Sequence, residues 1–283
     1  MAGAFPLAFV LSWQPSRFEA AAAVAAWEQT LERLRALGYQ GVELAVRDPT
    51  AVPARALRAL FARYGLEVPA LGTGQAWVEE GLSLTHPDPA VRAAALHRLE
   101  GHLELAAEWG ALVIIGLIRG RLGPGEDPGG ARARLAEGLD RLARQAAARG
   151  VRLALEPLNR YEVDLLHTVE EALALIQELG HEGIGILFDT FHANIEEASM
   201  EAALLRAGPR LFHVHLADSN RRAPGWGHLD FRPLLAALRA IGYRGWLSAE
   251  VLPVPSLEAA MTQFARWARS AVDPVPRPSP APS

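Results

Sequence analysis

A small set of acidic and imidazole side chains is spaced so that it could act together. Glu156, Asp189, His215 and Glu250 each close a short apolar run: VRLALE, GIGILFD, LFHVH and GWLSAE. His192 follows Asp189 by three residues, Asp218 and Arg221 follow His215, and Glu43 lies inside the run GVELAV. An ionised carboxylate buried without a partner is very costly. Three carboxylates and an imidazole brought together repel one another unless a divalent cation neutralises them. The chain has no cysteine, so the ligands would be oxygen and nitrogen only. That set suits a hard or borderline ion, Mn²⁺, Mg²⁺ or Co²⁺, with Zn²⁺ also open. Taken singly, each residue reads equally well as an isolated strand-end carboxylate or a satisfied core histidine. Four at successive strand ends favour a shared site. His213 shares the face of His215 but lies deeper, and it reads as a hydrogen-bonded core residue. Glu43 reads as structural, or as a support behind the ligands. His86, His97, His102 and His181 read as loop or helix-surface residues.

The elements that must hold these groups are short apolar strands alternating with longer amphipathic segments. Strands are expected over 7–13, 41–46, 67–74, 111–118, 151–157, 183–190, 211–218 and 245–252. Most are near-continuous apolar runs, the pattern of parallel strands covered on both faces. Helices are expected over 19–37, 90–109, 131–149 and 167–179, with Gly38, Gly110, Gly150 and Gly242 as C-terminal caps. Eight βα units fit a closed (β/α)₈ TIM barrel of α/β class better than an open doubly wound sheet. No GxGxxG follows the first strand, which weakens the open-sheet alternative further. One domain is expected over 1–272. The Pro-rich tail, 273–283, is expected to be disordered or a surface extension.

Composition removes other chemistries. All 28 basic residues are Arg, so Schiff-base chemistry, lysine bases and a P-loop are excluded, and the missing cysteines exclude thiolate nucleophiles. The net charge of −4 and a pI near 6.2 argue against nucleic acid as a partner. No run of about 18 apolar residues predicts a membrane span. The N-terminus MAGAFPLAFVLSW lacks a basic leader region and reads as part of the fold, so a soluble cytoplasmic protein is expected.

The candidate site residues belong to longer strings: EPLNRYE (156–162), DTFHANIEE (189–197), HVHLADSNRRAPGWGHLDF (213–231) and AEVLP (249–253). These resemble the sugar isomerase/epimerase superfamily with a xylose-isomerase-like TIM barrel, and within it the ketose 3-epimerases of D-tagatose and D-psicose type. The spacings of 33, 26 and 35 residues between Glu156, Asp189, His215 and Glu250 agree with that family's metal tetrad. The segments GYQGVELAVRDP (38–49), GTGQAWVEEGLSLTHPD (72–88) and GALVIIGLIRGR (110–121) look most like the 5-keto-L-gluconate epimerase branch, associated with inositol breakdown. The resemblance implies that Glu156, Asp189, His215 and Glu250 bind one divalent ion, Mn²⁺ first among the candidates. It implies that Glu156 and Glu250 double as acid and base on opposite faces of the substrate. His192 and Arg221 would contact substrate oxygens and Glu162 a substrate hydroxyl. Trp13 and Gly72–Gly74 lie near where the family places aromatic and small residues. Relatives commonly form dimers or tetramers, so a homo-oligomer is expected.

Such residues suit proton transfer beside a ketone. A general base contributes about 10²–10⁴-fold, and a fixed cation would stabilise the charge that develops on a cis-enediolate. Inversion needs a proton taken from one face and returned to the other, hence two opposed carboxylates. The substrate is expected to be a ketose or a keto-acid sugar. For a keto acid, Arg119 and Arg121 lie in the right region for a carboxylate clamp, the other reading being solvated loop arginines. The Gly-rich stretch 122–130 and the segment 221–228 read as flexible lid material. Sugar or hydroxypyruvate isomerisation and inosose dehydration are alternatives on the same scaffold. An endonuclease IV-like nuclease and a non-catalytic binding module are more distant ones.

Overall fold

Every expected strand forms, each shorter than its apolar run. The computed structural model describes residues 5–24 and 26–271; the tail from 273 lies outside the described residues. The strands are β1 (Leu7–Ser12), β2 (Gly41–Ala45), β3 (Ala70–Gly72), β4 (Leu112–Ile115), β5 (Leu153–Leu155), β6 (Ile184–Asp189), β7 (Leu211–His215) and β8 (Leu247–Ala249). All pair in parallel in chain order. Pairing of Leu7–Phe9 with Leu247–Ala249 closes the ring. This is the single-domain (β/α)₈ barrel, with helices outside and both strand faces buried.

The described residues ahead of Trp27 depart from the helix expected over 19–37. The first helix starts only at Trp27, and Ala22–Ala23 instead pair in parallel with Leu11–Ser12. β8 covers β1 only as far as Phe9, so the last backbone groups of β1 would be bare on that side. The alanine segment supplies their partners. The longer helices follow their capping signals. Asp88 and Asp127 cap helices that open on Pro89 and Pro128, and Thr168 with Glu171 forms a capping box. Gly38 and Gly110 end their helices in the left-handed conformation, as expected. Gly150 and Gly242 fall one residue later, after Arg149 and Ile241. His102 is not on a surface: it is fully buried, with its two ring nitrogens against the Arg98 and Val46 carbonyls.

Candidate active site

The site lies where β5, β6, β7 and β8 end. Asp189 is the last residue of β6 and caps the short helix Thr190–Glu196, its Oδ1 accepting from Phe191 N at 2.6 Å. That leaves Oδ2 buried without a hydrogen-bond partner. The same helix places His192 beside Asp189. His215 ends β7, and Glu156 and Glu250 follow β5 and β8. All five side chains are buried. Gly116 makes room for one of them, since a Cβ there would collide with Glu156 Oε2.

Glu43, on β2, fixes the orientation of His215. Its two carboxylate oxygens accept from His213 Nε2 at 2.7 Å and His215 Nε2 at 2.9 Å. Burial alone would raise the Glu43 pKa, but His215 and His213 overcome this and hold it far below the usual carboxylate range. With Nε2 committed, His215 Nδ1 faces Glu156 Oε1 at 3.7 Å, Asp189 Oδ2 at 3.7 Å and Glu250 Oε2 at 3.8 Å. Glu156 Oε1, Asp189 Oδ2 and His215 Nδ1 have no hydrogen-bond partner of their own. Donors gathered at such spacing around unsatisfied atoms fit a divalent cation of the oxygen- and nitrogen-loving kind.

His192 also points its Nε2 at the cluster, 3.8 Å from Asp189 Oδ2, and by spacing alone could replace His215 among the donors. The hydrogen-bond network argues otherwise. Asn159 Oδ1 accepts from Tyr161 N, so its Nδ2 donates to His192 Nδ1 at 2.7 Å. This assigns the proton of neutral His192 to Nε2, making it a hydrogen-bond donor into the site rather than a ligand. Burial holds the His192 pKa below its ordinary value.

Burial and the gathered charges shift the pKa values within the cluster. Burial would lower the His215 pKa, but Glu43 and Glu250 outweigh it and raise it well above normal. Glu250 is pushed up to about 8 by burial, with Glu156 and Asp189 adding to the rise against His215 and Arg221. Arg221 bridges Glu162 Oε1 at 3.0 Å and Glu250 Oε2 at 2.9 Å, its guanidinium lying over Phe18 and Phe191. The loop holding Arg221 is no loose lid. Buried Asp218 accepts from the backbone N–H groups of Ser219, Gly225 and Leu229.

Glu162 lines the same chamber as the cluster, with Arg221 and His192. Arg119 does not line it and is not solvated: it is fully buried, donating to the Glu156 and Leu166 carbonyls. The short 3₁₀ turn 117–119 carries its side chain inward beneath the loop. Arg121 stands outside the chamber, paired with Asp164 at 3.3 Å and donating to Tyr161 O. Trp13 also stands off, its Nε1 on Ala51 O and its ring against Trp27. Two contributors went unnamed by sequence reasoning. Asn159 was visible as a polar residue inside EPLNRYE, whereas Phe18 carried no signal.

Buried donors at the carboxyl ends of barrel strands, open to a chamber, define a metal-capable barrel enzyme. The Xylose isomerase-like TIM barrel family matches residues 31–271, and the chain belongs to that family. It is 34% identical over 216 residues to the L-ribulose 3-epimerase of Methylomonas sp. (strain DH-1), covering 75% of this chain and 74% of that one. Among solved structures it is similar to an L-ribulose 3-epimerase (TM-score 0.82, 28% identity, 96% and 95% of the two chains). It is also similar to the 3-keto-D-glucoside 4-epimerase of E. coli (TM-score 0.78, 26% identity, 93% and 99% of the two chains).

Proposed function

We propose that this carbohydrate epimerase inverts the carbon beside the ketone of a neutral ketose, in a 3-epimerase reaction, with one divalent ion held by Glu156, Asp189, His215 and Glu250. The observation that carries this reading is the set of unsatisfied donor atoms turned toward His215 Nδ1 beside an open chamber. Mn²⁺ is the ion of choice for this oxygen-rich set. When bound, it supplies positive charge that stabilises the oxygen of the enolised ketone.

The chain's own residues do the rest. One of Glu156 and Glu250 takes the proton from the carbon beside the ketone. The other delivers a proton to the opposite face of the planar intermediate. His192 Nε2–H donates to a substrate oxygen, with its tautomer kept by Asn159. Arg221 holds Glu250 and Glu162 and adds charge-assisted hydrogen bonds. A keto acid, as in the 5-keto-L-gluconate branch, fits less well. Arg221 already serves two carboxylates, Arg119 is spent on backbone carbonyls and Arg121 on Asp164.

The test is a panel of ketohexoses, ketopentoses and ketouronates incubated with Mn²⁺-loaded protein and analysed for C3 epimers. Epimers from neutral ketoses, lost with EDTA and restored by Mn²⁺, are the expected result. Turnover undiminished by EDTA, or products with a shifted carbonyl or lost water, would overturn it.

A further inference from the structure

A second compartment adjoins the chamber, and epimerisation of a simple ketose leaves it unused. The two share Phe18, Leu117, Glu162 and Arg221, so they lie side by side with these four side chains between them. The chamber holds about 40 Å³ and the outer vestibule about 410 Å³, roughly ten times as much. The inner space takes the reacting carbons and their oxygens. The remaining few carbons of a free ketose leave most of the outer space to water.

The vestibule wall has a distinct chemistry. Tyr161, at its rim, is 72% exposed, the most exposed large apolar side chain among the described residues. Trp77 and Val78 line the same space. Exposed Tyr161 with half-buried Trp77 and Val78 on one compartment makes an apolar patch, and a patch beside a functional site is more telling than a lone exposed side chain. The charges around it are already matched. Arg17 pairs with Glu79, Arg121 with Asp164, and Arg221 with Glu162. Glu19 adds a further carboxylate. Each guanidinium in this wall already faces a carboxylate, which lessens its pull on a phosphate or a further carboxylate. Paired guanidinium and carboxylate groups instead offer fixed donors and acceptors to neutral hydroxyls, and the aromatic faces offer a surface to the C–H side of a sugar ring.

We propose that the substrate is a ketose carrying a second, neutral sugar ring, with the ketose in the chamber and the attached ring in the vestibule against Tyr161 and Trp77. This rests on the epimerase reading above and extends it by naming the class of substrate.

The experiment compares D-fructose, its 4-O- and 6-O-glucosyl derivatives and D-fructose 6-phosphate as substrates of the Mn²⁺-loaded protein. The readout is kcat/KM for C3 epimer formation. At least one glucosyl ketose is expected to exceed D-fructose by about tenfold, the scale of one aromatic contact. Tyr161→Ala and Trp77→Ala should each bring the ratio of glucosyl ketose to D-fructose back toward one, while Tyr161→Phe, which keeps the ring face, should preserve it. If D-fructose is used as well as its glucosides, if both fall equally in the variants, or if the phosphate ester is preferred, the second-ring proposal is overturned and the epimerase reading stands. If none of the four is epimerised, the second-ring proposal falls, and the epimerase reading falls with it only if no ketohexose or ketopentose of the panel above is epimerised either.

Discussion

If the proposed ion binds, a proton and a cation compete for one place, the point where His215 Nδ1 faces three carboxylates. Glu43 accepts from His215 Nε2 and so turns Nδ1 to that point, which would make its effect on the proposed ion indirect. Glu43→Gln should weaken Mn²⁺ binding by about 10–100-fold, as for other partners of metal-bound imidazoles. Titration calorimetry would measure it, and an unchanged Kd would mean that Glu43 only fills space. The two flanking carboxylates can be told apart by isotope. Glu156→Gln and Glu250→Gln should each lower epimerisation by at least about 10²-fold. Each should still wash deuterium from D₂O into one epimer only, the one whose hydrogen faces the surviving carboxylate. Exchange into both epimers by either variant would remove that residue from the pair.

At the scale of elements, the strand ends were legible because parallel strands leave their last residues at one rim. A polar residue closing an apolar run therefore has few places to go. Glu156, Asp189, His215 and Glu250 all obey this. What could not be read was the path of the connections. Arg119 looked like a clamp or a solvated loop residue, and a 3₁₀ turn buried it on two carbonyls. The alanine run at 19–26 has helical composition, yet unpaired backbone at the end of β1 drew part of it into a strand. Gly116 is a further case, since its need for a bare Cα follows from a carboxylate on the neighbouring strand. Gly116→Ala should displace Glu156, lowering both kcat and Mn²⁺ affinity about tenfold or more while the fold survives. Gly183→Ala, where an added methyl meets nothing within 4 Å, is the control. Equal behaviour of the two variants in kinetics and calorimetry would show that the collision is relieved without cost.

For the whole molecule, the raised pKa values tie stability to pH and metal together. Glu250, near 8 when folded, and His215, also raised, bind their protons more tightly folded than unfolded. The metal-free fold therefore loses stability as pH rises from the unfolded carboxylate range, near 4.5, through about 8. Asp189 and Glu43 are depressed, so their contribution is lost only at lower pH. Burial holds the pKa values of His102 and His213 below the ordinary histidine value. The difference in Tm between Mn²⁺-loaded and EDTA-treated protein should thus widen from pH 5 to pH 9. Binding at pH 7 should release protons, seen as a dependence of calorimetric heat on buffer ionisation. A constant Tm difference across that range would contradict the competition.

Closure of the ring by β1 and β8 also bears on how the enzyme is made. The ribosome delivers Glu156, Asp189 and His215 well before Glu250, and a nascent polypeptide that stops short of residue 247 has neither a sealed seam nor its fourth donor. On the proposed metal site, an ion could be gripped by all four donors only once the β1–β8 seam is sealed and Glu250 is in place.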